Sequence, residues 1–477
     1  MSRSLSSDFL IEPNWTIFSE PILGFGRSDQ ENIQFAIEGI QKFGPYDYNN
    51  RQRHFSGLKI VVIESEEGAN RQKMNEVLSK IRNGQGYYRG LGKEFKLDDD
   101  PEIVFESIRM HDKQDVEEWT NSLRKLGRYS LVNSKDGIRS VSLVEGPDYK
   151  ATANTEHYYA TKRALLQLGI PNQYLSRGIS DSGLGILQQD PSDPNFVYSI
   201  WNIALALYAK AGGFPWVLRE SIGGERNIDS VSGIRFARDT KDESYVIGAI
   251  SIFGSHGSLY GIRAQRFLDA SKRGKRWYAK SKGMFVNEDD AYELGSIILD
   301  RHEEKTGSLP QHVVIHRLGP YHEKEIAGFL HCFETQGIER FSLLEVFGSG
   351  NPRIFSDDDG TPSSIRRGLS IEIGDDAALV CTTGDSHYSF RGYERVKEHY
   401  MGTPKPIVVR IRQSKNSFEK PLTAASNIFN MTTLHWGCGW SKEVQLPATL
   451  DFAENVAKLY ANGVIPHQVL EDTAWFL

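Results

Sequence analysis

Cysteine is scarce in this chain: Cys332, Cys381 and Cys438 are the only three in 477 residues. None is paired at metal-ligand spacing, and so few argue against a disulfide scaffold and for a reducing compartment. No apolar run approaches the ~20 residues that span a bilayer. The opening "MSRSLSSDFLIEPNW" lacks the apolar core of a secretory leader. The expectation is a cytoplasmic protein with no membrane partner. Familiar catalytic signatures are missing as well: there is no H-E-x-x-H, no P-loop and no G-x-S-x-G. No strand runs into a glycine-rich phosphate loop, which leaves a Rossmann-type nucleotide enzyme with little support. No internal repeat recurs at a fixed period.

What is present is globular. Hydrophobic residues make up 39% and charged residues 25%, which excludes wholesale disorder. The length allows two or three domains. The formal net charge of −6 means that any nucleic-acid site must be a local basic patch on an acidic background.

Residues 1–50, rich in glycine, proline and polar side chains, read as an irregular lead-in. Apolar runs at "GLKIVVIESEE", "EIVFESIRM" and "RSVSLVEG" then predict strands, and helices follow in "TEHYYATKRALLQLG" and "YSIWNIALALYAKAGG". The second helix places Ile200, Ile203, Ala204 and Leu207 on one face and stops at Gly212-Gly213. Alternation of this kind predicts an α/β domain over 51–220. Beyond it, over 221–477, strand-like runs occur at 229–238, 244–255, 312–319, 340–349, 369–383 and 406–413. Several strands come before the first long helix, which predicts a mixed sheet rather than a doubly wound one. Segments 96–102 and 355–364 read as solvated loops.

Four residues suggest a phosphate pocket. Tyr158 and Lys162 are one helical turn apart, Gln173 follows in a turn past the helix end, and Lys210 closes the next long helix. Two ammonium groups supply charge, the amide supplies direction and the ring a stacking face. Taken singly, each also reads as a surface lysine or a half-buried tyrosine. A second feature is "RAQRFLDASKRGKRWYAKSK", residues 263–282, with eight Lys/Arg against one Asp and three aromatics interleaved. Arg263, Arg266, Lys272, Arg273, Lys275 and Arg276 there suit a nucleic-acid backbone, and equally a solvated loop or an acidic partner. A third is the ending "EDTAWFL", whose apolar residues should dock and could bring the terminal carboxylate to a hard cation.

Five stretches together resemble a short prokaryotic Argonaute with only MID and PIWI domains: "YYATKRALLQLGIPNQ", "NIALALYAKAGGFPWVL", "VVIHRLGPYHEKEI", "KPIVVRI" and "LTAASNIFNMTTLHWGCGWSKEVQLPATLDFAENVAKL". The resemblance implies a Rossmann-like MID domain followed by an RNase H-like PIWI domain. It implies a guide 5′-phosphate held by Tyr158 (or Tyr159), Lys162, Gln173 and Lys210, with Mg²⁺ shared between Gln173, the phosphate and the carboxylate of Leu477. Cleaving members carry carboxylates at positions matched here by Arg235 and Leu318, and a last acidic or histidine position falls near Glu454. A cation and an aliphatic side chain cannot hold two Mg²⁺ ions, so the chain is expected to be catalytically inactive. The implied function is recognition of invading plasmid or phage DNA by a 5′-phosphorylated guide RNA. The implied partner is an APAZ-containing effector, a Sir2 or TIR domain that depletes NAD⁺. The rival expectation is an active endonuclease using unaligned carboxylates such as Asp229, Glu372 or Asp375.

Overall fold

The computed structural model describes residues 14–477 except 27–30, 49–54, 66–70, 112–114, 133–136, 146–150, 176–178, 181–182, 185, 188, 194, 224–226, 271–282, 359–360, 364, 391–392, 398–404 and 438–443. The first fifty residues hold more regular structure than their composition predicts. Trp15–Ile17 forms a strand (β1), Leu23–Gly24 pairs with Val217–Leu218, and Ala36–Phe43 forms a helix (α1). Ile37 and Ile40, one turn apart, are fully buried, and Phe25 lies against Gly39 where a Cβ would stand. Eight helical residues among glycines and prolines are too short a period to read from sequence. Asp47, fully buried, accepts hydrogen bonds from the Tyr208 hydroxyl at 2.6 Å and the Phe214 amide at 3.0 Å, tying this segment to the rest.

The next elements alternate: β2 (Gly57–Ser65), α2 (Arg71–Asn83), β3 (Glu102–Ile108), α3 (Val116–Val132), β4 (Ile138–Glu145), α4 (Ala151–Leu166), β5 (Asn172–Leu175) and α5 (Phe196–Lys210). The four strands are parallel in the order β3-β2-β4-β5. Ile60, Val61, Val62 and Ile63 are consecutive and all buried, because helices cover both faces of a parallel sheet. Val61 and Ile63 pack with Trp119 and Leu165 on one side, Ile60 and Val62 with Val77 and Trp201 on the other.

The second half is built on β6 (Ser230–Arg238), β7 (Tyr245–Gly254), β8 (Leu259–Leu268), α6 (Glu288–Thr306), β9 (His312–Leu318), α7 (Glu323–Thr335), β10 (Arg340–Phe347), β11 (Leu369–Glu372), β12 (Ala377–Val380), β13 (Ile407–Lys415), α8 (Pro421–Met431) and α9 (Ala448–Ala461). The sheet has nine strands in the order β1-β11-β12-β13-β10-β9-β6-β7-β8. Only β6-β9 and β9-β10 are parallel, so the sheet is mixed, as the run of strands before the first long helix predicts. Two expectations change. The run 369–383 is a pair of antiparallel strands, folded back at Gly374-Asp375-Asp376 with Gly374 at φ +142°. Residues 355–364 contain a short hairpin, Ser356–Asp358 with Thr361–Ser363, rather than a plain loop.

Helix α9 crosses the sheet over Gly233, where a Cβ would stand 2.3 Å from both the carbonyl carbon and oxygen of Thr449. Backbone cannot give way as a side chain can. Gly233→Ala is therefore expected to cost roughly 1–3 kcal/mol, seen as a lower denaturation midpoint.

Candidate functional site

The four pocket residues come together from three elements. Tyr158 and Lys162 lie one turn apart on α4, Lys210 is the last residue of α5, and Gln173 lies between them. Gln173 sits within β5, opposite Leu143 of β4, and not in the turn expected. The four residues Asn172–Leu175 after Pro171 are too few to carry a strand signal; pairing with β4 makes them one. Lys162 and Lys210 are both buried, at 2% and 0% exposure. The Lys162 ammonium donates to the Asn172 carbonyl at 2.8 Å and lies 5.6 Å from the centre of the Tyr158 ring. The Lys210 ammonium donates to Gln173 Oε1. Of the two tyrosines, Tyr158 is the one whose ring faces the ammonium; Tyr159 meets its edge at 5.2 Å.

No carboxylate pairs with either lysine among the described residues. Burial alone pulls Lys162 down to about 7, and burial with the Lys162 charge holds Lys210 well below its usual range. Burial, with Tyr159 adding to it, raises the Tyr158 hydroxyl to about 12. Two amines close together in an apolar setting, facing only neutral oxygens, resist protonation until a bound anion offsets the charge, so the site is one that an anion would complete. The Asn172 carbonyl is a further contributor that no side-chain pattern announces. Arg139 lines a cleft of about 90 Å³ together with Lys210, Gly169, Leu470 and Thr473. A main-chain acceptor leaves no pattern in a sequence.

The C-terminal segment docks as expected. Ala474, Trp475 and Phe476 are buried, and Phe476 packs on Phe452 of α9 with ring centres 4.9 Å apart. The His467 amide donates to the Leu166 carbonyl at the end of α4 at 2.8 Å. Asp472 pairs with Arg301 and, at 2.7 Å, with Lys305, while Glu471 pairs with Arg263 at 3.0 Å. This segment thus links α6 and β8 to the lysine pocket. Leu477 is half-buried, its side chain beside Gly437.

Within the nine-stranded sheet, Arg235 of β6 forms an ion pair with Glu454 of α9, which also binds Lys458 at 2.6 Å. Burial lowers the guanidinium, and Glu454 partly restores it. Leu318 lies on the neighbouring parallel strand, one residue beyond the Ile234–Arg317 register pair. Arg235, Leu318 and Glu454 are therefore adjacent: a cation, an aliphatic side chain and one carboxylate. The carboxylates of the rival reading do not converge. Asp229 accepts the Gln311 and His312 amides at 2.8 and 3.0 Å, before β6 begins. Glu372 takes Asn14 at 2.7 Å on β11, five strands from β6, roughly 24 Å at sheet spacing. Asp375 lies in the turn after β11.

His316 and Arg317 are structural. His316 is fully buried between Thr449 and Asn427, and burial lowers it to about 4. Within the basic stretch, Arg263 and Arg266 lie on β8 and not in a loop. Arg266 pairs with Asp239 at 2.7 Å and stacks 3.7 Å above Tyr245. Lys272, Arg273, Lys275 and Arg276 fall outside the described residues.

No family model matches the chain. It is 26% identical to the protein argonaute of Aquifex aeolicus over 364 residues, 74% of this chain and 44% of that protein. It is 24% identical to the protein argonaute of Cereibacter sphaeroides over 251 residues, 49% of this chain and 29% of that one. The chain thus spans less than half the length of these curated relatives. In three dimensions it resembles Clostridium butyricum Argonaute, solved with a guide DNA and a 19-mer target DNA, at a TM-score of 0.70 and 19% identity. That match covers 99% of this chain and 55% of the other. The mixed nine-stranded sheet with its smaller parallel sheet is an Argonaute fold.

Proposed function

We propose that the chain anchors the 5′-phosphate of a guide RNA between Lys162, Lys210, Gln173 and Tyr158, and presents the guide to complementary single-stranded DNA without cutting it. The observation that carries this reading is the pair of buried lysines that meet only neutral oxygens. A phosphate placed there favours the protonated form of both lysines and accepts charge-assisted hydrogen bonds from them. Recognition then resides in base pairing, with the protein contacting backbone and shape.

The donor chemistry suits Mg²⁺ on one condition. Gln173 Oε1 is a hard oxygen, and where Leu477 ends the chain its carboxylate is a second. Two ammonium neighbours repel a cation, so the ion would enter only together with the phosphate. When bound it would neutralise part of the phosphate charge.

Absence of cleavage rests on Arg235 and Leu318. The Arg235–Glu454 pair puts a guanidinium against the remaining carboxylate, where a metal would otherwise supply the charge. A guided binder that does not cut needs a separate output. In this reading it is a heterodimeric APAZ effector with a Sir2 or TIR domain, which depletes NAD⁺ in the cytoplasm when invading DNA is recognised. The family resemblance is the support for that partner.

The test is direct. Purified protein is offered 5′-phosphorylated and 5′-hydroxyl guides, then a complementary labelled DNA with Mg²⁺ or Mn²⁺. Preference for the phosphorylated guide, retention of the target and no cut product are the expected results. Equal binding of both guides, or a guide-specific product, would overturn the respective half of the proposal.

A further inference from the structure

Residues 467–473 belong to neither sheet, yet both halves of the chain hold them. Toward the parallel sheet the contacts are neutral. The His467 amide donates to the Leu166 carbonyl at 2.8 Å. Gly169, at φ +77°, leaves room where a Cβ would stand 2.9 Å from Val469 Cγ1. Gly212, just past α5, does the same for Thr473 at 3.3 Å. Toward the nine-stranded sheet the contacts are ionic. Glu471 pairs with Arg263 of β8 at 3.0 Å, and Asp472 with Arg301 and Lys305 of α6, the latter at 2.7 Å. Arg301 is oriented by its bond to the Tyr260 carbonyl at 2.7 Å, and the Ile262 amide reaches the Glu471 carbonyl at 3.4 Å.

Ordering an irregular segment costs backbone entropy that its contacts must offset. Between 467 and 473 only Leu470 is buried, so apolar packing restrains this stretch little. The ion pairs supply the restraint, and each cation in them is fixed on a regular element. What they hold in place is a wall beside Lys210. Val469, Leu470 and Thr473 line, together with Lys210, the cleft of about 90 Å³ at the end of α5. A wall that excludes water strengthens hydrogen bonds from an ammonium group to an anion, because water then neither competes for them nor screens them. Resting on the guide-binding reading above, we infer that Glu471 and Asp472 are positioning residues for the guide 5′-phosphate. Their ion pairs with β8 and α6 hold residues 467–473 against the end of α5, so that the lysine pocket in one half of the chain grips fully only when latched to the other.

The experiment measures equilibrium binding of 5′-phosphorylated and 5′-hydroxyl RNA of one sequence to wild type and to the Glu471→Gln/Asp472→Asn variant, which keeps size and removes charge. The variant is expected to lose roughly two- to tenfold in affinity for the phosphorylated guide, the scale of a few partly exposed ion pairs. Affinity for the hydroxyl guide should not change. A cycle with Lys210→Met separates positioning from general loosening. If the segment acts through Lys210, the loss caused by the two amides should shrink to near nothing once that lysine is gone. Full additivity, equal losses on both guides, or wild-type affinity in the variant overturns the inference while leaving the guide reading intact. If wild type binds the two guides equally, the guide reading falls and this one with it. A further arm needs no variant: amide hydrogen exchange of residues 467–473 in wild type should slow more with the phosphorylated guide than with the hydroxyl one. Equal exchange with the two guides overturns the inference.

Discussion

Lys162→Met and Lys210→Met are each expected to weaken binding of a 5′-phosphorylated guide by about 1.5–3 kcal/mol, roughly 10- to 150-fold, the range for hydrogen bonds to charged groups. A 5′-hydroxyl guide should be nearly unaffected. The empty protein should gain stability, because an apolar chain replaces a buried amine whose protonation no carboxylate supports. Opposite signs for binding and stability distinguish a ligand site from a structural one. The two effects need not add, since Lys162 and Lys210 influence each other.

The same pocket sets a pH dependence. Lys162 is lowered to about 7 in the folded chain, below its unfolded value near 10.5. Above pH 7 the folded state therefore holds fewer protons than the unfolded one, so stability of the empty protein rises with pH between about 7 and 10.5. Phosphate binding requires the protonated lysine and runs the other way. Affinity should fall as pH rises above 7, by up to about tenfold per unit for each lysine that must regain its proton. Lys210, lowered for the same reason, acts in the same direction. Below about pH 6 the phosphate loses its own second charge. Binding measured from pH 6 to 9 should thus weaken at the alkaline end for the phosphorylated guide alone; a flat profile would count against the buried-lysine account.

The second large effect is on stability. Glu325→Ala is expected to cost roughly 3–5 kcal/mol, as when one partner of a buried ion pair is removed. Arg317 and Glu325 side chains are 5% and 2% exposed, with Arg317 Nε 3.1 Å from Glu325 Oε2. Glu325 also accepts the His322 amide at 2.8 Å in a capping box at the start of α7. Its loss leaves a guanidinium buried between the Phe236 and Tyr321 rings and uncaps the helix. Glu325→Gln, which keeps an acceptor, should lose less. Arg317→Met with Glu325→Leu should recover most of the loss, because neither charge then remains unpaired. Denaturation midpoints of the three variants decide it, and a Glu325→Ala protein as stable as wild type would refute the argument. Arg317 directly precedes Leu318, so this pair also fixes the strand end beside Arg235.

Much of the architecture could be read from local pattern. The apolar run 60–63, the helical spacing of Ile200, Ile203, Ala204 and Leu207, and the strands preceding α6 name their elements without reference to the rest of the chain. Tyr158 and Lys162 share a face because 3.6 residues make a turn, and Trp475 and Phe476 seek the interior because they are apolar. What local pattern could not supply was depth and partnership. The burial of Lys162 and Lys210, the strand that carries Gln173, and the ion pair between Arg235 and a residue 219 positions away all follow from packing distant segments together. Residue types and their periodicity are properties of neighbours along the chain, whereas desolvation and pairing are properties of neighbours in space.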